Sequence, residues 1–367
     1  MFLLSGTIIG VGMFGIPFVF SRAGFFVGLA ELAVLLVVIT IIHLMYGEIL
    51  LRTETIHRLP GYVKRYLGAR AKVFSTVSYV VGLSGSLLAY VVIGGQFLGG
   101  IFDTNPFLGS FLFWAAGGIF IFFSIRQSGA FDTVLNAALI GFILFFALKT
   151  LPFARWEYLS MEGSGDFFLP YGVLLFSLAG ATAVPEIRAL AGKNSGHLLK
   201  PIIIFGTALP AILYAFFAVS VVGISGPATS QDALSGLGGL ISPSLFLLGE
   251  IIGVLAVFTS FIIIGLTLKE TYHFDWGMGH REAWALASLP PFLLFVFGVN
   301  QFIGIIGFVG AITGGIDAVL TAFIFLKAKK FGLRTPEFSL AIPPAVVFGV
   351  IALFIFGIAG EFALLFL

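Results

Sequence analysis

Among the acidic residues inside otherwise apolar runs of this 367-residue chain are Glu31, Glu48, Glu250 and Asp317. A carboxyl group withdrawn from water tends to keep its proton, so such residues can carry a proton or anchor neighbouring helices. Glu48 lies close to Arg52 and reads as half of a structural pair, while Glu31 is near enough to the end of its run to reach an interface. Glu250 precedes Thr259 by nine residues, about 13 Å along a helix expected to line a pathway. Asp317 lies deepest. Glu250 and Asp317 are therefore the proton-coupling candidates, the alternative being a polar anchor bonded to a nearby hydroxyl or amide. His43 could titrate, but a lone histidine there reads as a packing residue.

A second kind of chemistry needs no side chain. SGTIIGVGMFGIPF sets Gly6, Gly10, Gly12 and Gly15 before Pro17, and LFSLAGATAVPEIR sets Ser177, Gly180 and Thr182 before Pro185. Glycine permits non-helical backbone and proline removes a donor, so both stretches predict a helix interrupted inside an apolar run. Amides freed at such a break suit a carboxylate, and freed carbonyls suit a cation or an ammonium. Close helix packing is the competing explanation for glycine, and it is preferred for Gly304, Gly307, Gly310 and Gly314.

Other chemistries are excluded. There is no cysteine, hence no disulfide or thiolate site. No phosphate-binding loop, zinc-binding helix motif or nucleophile elbow occurs, and GVGMFG lacks the preceding strand a dinucleotide site needs. No catalytic pair is visible, so an enzyme is not expected, nor is a resident cofactor or a nucleic-acid partner.

The elements that position these residues follow from composition. The chain is 59% hydrophobic and only 10% charged, against about 25% charge in soluble domains. Its partner is the lipid bilayer. A bilayer core roughly 30 Å thick needs about 20 apolar residues per helix. Eleven such spans are expected, near 2–20, 25–50, 72–102, 109–124, 130–149, 168–190, 201–224, 241–268, 284–299, 301–326 and 341–366. With the N-terminus cytoplasmic and the C-terminus outside, 16 of the 19 Lys and Arg fall in inner loops, as basic residues do. The expected fold is all-α, a polytopic membrane protein forming one domain over 1–367.

The two halves share a rhythm. Pro17 and Pro185 are 168 residues apart, and the long spans 3 and 8 start 169 apart. An odd number of spans per half inverts the second half, giving a 5+5 inverted repeat over about 1–149 and 168–326, with 341–366 as an extra helix. Interrupted spans in corresponding positions, here 1 and 6, mark the binding site in such repeats.

GTIIGVGMFGIPFVFSRAGF in span 1, LPYGVLLFSLAGATAVPEI in span 6 and LAVFTSFIIIGLTLKETY in span 8 resemble the amino acid/auxin permease group of the amino acid–polyamine–organocation superfamily. Within it, the look is that of bacterial aromatic (tryptophan/tyrosine) amino-acid permeases. The resemblance implies a cation-coupled symporter of the plasma (inner) membrane for aromatic or other neutral amino acids. It would work by alternating access, spans 1, 2, 6 and 7 moving against 3, 4, 8 and 9. A longer first half of span 1, with a cytoplasmic tail, is expected ahead of Met1.

The resemblance also implies where substrate would bind. The carboxylate would meet amides around Gly10, Val11 and Gly12, and the amino group carbonyls around Ile9, Ser177 and Ala179. Tyr90 of span 3 would lend a hydroxyl, and the small Gly180 and Ala181 would leave room for a bulky side chain. Thr259 and Ser260 match a cation site between spans 1 and 8. Some proton-driven relatives replace that ion by a span 5 lysine, but here Lys149 lies at the opposite, outer end of span 5. The co-transported ion is then sodium at Thr259 and Ser260 or a proton on a carboxylate, and proton-driven relatives favour the second. An amino-acid sensor without net transport is the alternative function, and a passive channel lacks the polar rings a pore wants.

Overall fold

The computed structural model describes residues 1–125, 129–191 and 196–364, with the side chains of 2, 129–133, 191, 275 and 364 left aside. Arg126 and Lys193 of the basic count, the side chain of Asp132 and the last residues of span 11 lie outside that description. Among the described residues the structure is helical, with no strand. Eight helices among the described residues are long and apolar enough to cross a membrane, corresponding to spans 2, 3, 5, 6, 7, 8, 10 and 11. Spans 1, 4 and 9 are also helical, but in shorter pieces.

Span 1 is two helices, α1 (Phe2–Ile8) and α2 (Gly12–Ala23), and span 6 is likewise α9 (Leu169–Leu178) and α10 (Ala183–Ala191). The chain leaves helical geometry at Ile9 (ψ 89°) and at Ala179 (ψ 118°), so the breaks fall 170 residues apart. The prolines do not stand at the breaks themselves. Pro17 lies inside α2, and Pro185 sits in the first turn of α10, where its missing N–H is not needed. Each break falls just before a glycine, Gly10 or Gly180, and the proline comes several residues later.

Between the broken helices run α3 (Phe25–Arg52), α4 (Leu59–Leu67), α5 (Ala69–Phe102), α6 (Pro106–Phe122), α7 (Gly129–Thr150) and the short α8 (Trp156–Leu159). After α10 come α11 (Leu199–Ser225), α12 (Pro243–Glu270), α13 (His280–Val296), α14 (Phe302–Phe308), α15 (Gly315–Phe331) and α16 (Pro344–Leu364). Two features go beyond the span pattern. The basic segment after span 2 contains α4, whose Tyr62 and Val63 are fully buried. Burial pushes the Tyr62 hydroxyl up to about 12, and it accepts the His57 N–H at 3.1 Å. Span 10 is interrupted by a wide π turn, Val309–Gly314, between α14 and α15.

Glu48 forms the expected pair with Arg52 at 2.8 Å. Its fully buried carboxylate also accepts the Leu340 N–H at 2.6 Å and the Ser339 hydroxyl at 3.0 Å. One acid thus ties the end of span 2 to the connection between spans 10 and 11, a structural role that satisfies a charge expensive to leave unpaired.

Candidate functional site

Both breaks open on one cavity of about 340 Å³, lined by Ile8, Gly10, Val11 and Gly12 from span 1 and by Ser177 and Ala179–Ala183 from span 6. The breaks touch each other. A Cβ on Gly12 would lie 2.9 Å from the Cα of Ser177, an approach only glycine permits. The positive ends of α2 and α10 and the negative ends of α1 and α9 converge there. First-turn amides of a helix have no helical acceptor, and last-turn carbonyls no helical donor. An anion and a cation can therefore be held side by side without any charged side chain.

Of the substrate-site candidates, Gly10, Val11, Gly12, Tyr90, Ser177, Ala179 and Gly180 all line the cavity. Ile9 is buried beside it and does not line it. Tyr90 reaches the span 1 break, its hydroxyl 3.5 Å from the Cβ position of Gly10. Tyr214 of α11 was not anticipated. Its hydroxyl lies 2.7 Å from the Ile8 carbonyl and 3.0 Å from the Ser177 carbonyl, so one side chain spans both breaks. A tyrosine midway along an apolar helix carries no sequence signal for this, since its partners are 206 and 37 residues away.

From the breaks the cavity extends to Arg58 and Leu59 at α4, the end of the bundle carrying the basic segment after span 2. Asp317, Ser78, Tyr46 and Thr313 line this stretch, with the Ser78 hydroxyl 3.5 Å from the Asp317 carboxylate. The π turn sets this geometry: it lies directly before α15, which carries Asp317 in its first turn. Gly310 in that turn packs so closely on α9 that a Cβ would come within 2.6 Å of the Phe176 nitrogen. The packing role expected for the span 10 glycines is met there, whereas a Cβ on Gly304 or Gly314 would meet nothing nearer than 3.9 Å. His43 also lines the cavity, although its sequence reading was a packing residue.

The other side of the breaks is closed. Phe14 in α2 packs edge-on against Phe97 (4.9 Å) and Phe217 (6.1 Å), and Phe146 joins Phe217 at 5.9 Å. All four rings are fully buried. Glu250 lies away from the cavity instead of lining a pathway. It is buried in α12 with its carboxylate against the backbone of Gly100, because the first half of α12 packs on the last turns of α5. Thr259 and Ser260 are half-buried and also off the cavity lining, each hydroxyl donating to the Ala256 carbonyl at 3.1 Å. Among the described residues no cluster of acidic and histidine side chains suits a metal ion.

Comparison with known proteins places this geometry. The sequence profile of the tryptophan/tyrosine permease family matches residues 1–361. Tyrosine-specific transport system 1 of Haemophilus influenzae is 22% identical over 365 residues, spanning 91% of this chain and 88% of the relative. The low affinity tryptophan permease of Escherichia coli K12 is 24% identical over 363 residues, spanning 89% and 86%. Among solved structures, MhsT in complex with L-phenylalanine superposes with a TM-score of 0.72 at 12% identity, covering 98% of this chain and 96% of MhsT. A nucleobase-cation-symport-1 family transporter, closed around bromovinylhydantoin, gives 0.63 at 12% identity, over 99% and 89%. At these identities the structures share the fold.

Proposed function

Since the chain belongs to the tryptophan/tyrosine permease family, we propose that it carries an aromatic amino acid across the plasma membrane together with a proton, by alternating access between two inverted halves. The observation that carries this reading is the single cavity holding both helix breaks and Asp317, open at one end and sealed by Phe14 at the other. A zwitterion fits the breaks: its carboxylate on the amides of Val11 and Gly12, its ammonium near the span 6 carbonyls at Ala179 and Gly180. The Ser177 carbonyl, a further ammonium acceptor in the sequence reading, is shared with the Tyr214 hydroxyl. The room expected at Gly180 is filled by the Ile8 and Leu4 side chains, so the aromatic ring would extend along Ala181 and Thr182 instead.

The proton is assigned to Asp317 in preference to Glu250, because Asp317 faces the cavity and Glu250 does not. Sodium at Thr259 and Ser260 is the competing coupling; both hydroxyls already donate within α12, so the ion would bind their lone pairs. Uptake of tryptophan, tyrosine and phenylalanine into liposomes, driven by a proton gradient or by a sodium gradient, tests the proposal. Accumulation under the proton gradient alone is expected. No uptake under either gradient would sink the function, and sodium-dependent uptake lost in Thr259→Ala would transfer the coupling to span 8.

A further inference from the structure

We propose that His43 is a specificity-determining residue, its free ring nitrogen accepting the hydrogen carried by a substrate side chain. The inference rests on reading the cavity as an amino-acid site and names the feature that selects among aromatic side chains. His43 is only 2% exposed, yet it lines the cavity. Its Nδ1 lies 3.1 Å from the Thr207 hydroxyl, and that hydroxyl lies 2.9 Å from the Ile203 carbonyl. A carbonyl cannot donate, so the single hydroxyl hydrogen lies on the Ile203 oxygen. The bond between Thr207 and His43 must then draw its hydrogen from Nδ1.

This fixes the tautomer. With Nδ1 protonated, the neutral ring presents Nε2 as a lone-pair acceptor, and no other described residue bonds it. The cavity wall beside His43 on the same helix is formed by Ile39 and Ile42 on one side and by Tyr46 one turn on. Two isoleucines beside a nitrogen acceptor match an aromatic ring with one donor: the phenol of tyrosine or the indole N–H of tryptophan. Phenylalanine offers no such hydrogen and would leave the acceptor unpaired. Sites built to bond a substrate hydroxyl or N–H discriminate against analogues lacking it, because the buried partner is left without a bond.

The test is a ratio. In proteoliposomes, uptake of tryptophan and tyrosine relative to phenylalanine should fall about tenfold in His43→Phe, which keeps the ring size and removes the acceptor. His43→Gln, which restores an acceptor, should recover most of the ratio. An unchanged ratio in His43→Phe, or an equal fall for all three substrates, would overturn the assignment. If His43→Phe does not accumulate in the membrane, competition in the unsubstituted protein decides. O-methyltyrosine and 1-methyltryptophan lack the hydrogen and should compete about tenfold more weakly than their parents. Equal competition would overturn the proposal. Aromatic uptake with no discrimination defeats the role of His43 alone, whereas absence of any aromatic uptake defeats the function it rests on.

Discussion

The two sides of the helix breaks differ in what fills them. On the α4 side, the walls carry hydroxyls, a histidine and Asp317 around a cavity of about 340 Å³. On the opposite side, Phe14, Phe97, Phe217 and Phe146 pack ring against ring with no exposure. Glycine at the breaks and the π turn make the first side loose, while dense aromatic packing makes the second tight. Access from one side only is the arrangement a carrier needs, since a path open at both ends would dissipate the gradient that drives it. Burial alone does not make a functional acid: Glu250 is the more deeply buried of the two, but it is the half-buried Asp317 that faces the cavity.

The largest expected break in this contrast comes from Asp317→Asn. Net accumulation driven by a proton gradient should fall by about a hundredfold, while exchange of labelled for unlabelled substrate continues, measured as counterflow in liposomes. Uptake by the unsubstituted protein should rise as the outer pH falls, and the variant should show a flat profile over the same range.

The absence of cysteine in the chain allows a direct comparison of the two sides. Thr313 and Ile303 belong to the same span, Thr313 on the cavity and Ile303 packed against Gly15 on the sealed side. In detergent, Thr313→Cys should react with a water-soluble thiol reagent at least about tenfold faster than Ile303→Cys. Similar rates would mean that the seal is not closed.

A smaller effect is expected where the two sides meet. Tyr214→Phe leaves the Ile8 and Ser177 carbonyls without their shared donor, which should cost about 1–3 kcal/mol. The measurements are a lowered thermal unfolding midpoint and a raised KM, and an unchanged value of both would show that the tyrosine does not hold the breaks. The smallest effect belongs to Glu250→Gln, which should leave the uptake rate within about twofold. A loss as large as that of Asp317→Asn would move the proton to span 8.

How much of this the sequence carries depends on the range of the interactions involved. The breaks were legible because the residues that weaken a helix are local: Gly10, Gly12 and Gly180 lie within three residues of the non-helical torsions at Ile9 and Ala179. The pairing of Glu48 with Arg52 was legible for the same reason, being one helical turn apart. Tyr214 and His43 were not. Their roles come from partners up to 206 and 164 residues away, and an apolar helix with one tyrosine or one histidine looks the same in any packing. Nor does the residue pattern around Val309–Gly314 distinguish a π turn from a helix, because the extra residue is accommodated by packing on Gly172 and Phe176. Glu250 was assigned to the pathway from its distance to Thr259, but depth along a helix does not fix which face turns inward.

Proton movement accompanying substrate tests the central claim most directly. With the protein reconstituted in lightly buffered liposomes, external pH is followed after tryptophan is added outside. The account predicts alkalinisation in step with tryptophan uptake, absent in Asp317→Asn even though that variant still exchanges substrate. Tryptophan uptake without any pH change, or alkalinisation that survives Asp317→Asn, would contradict it.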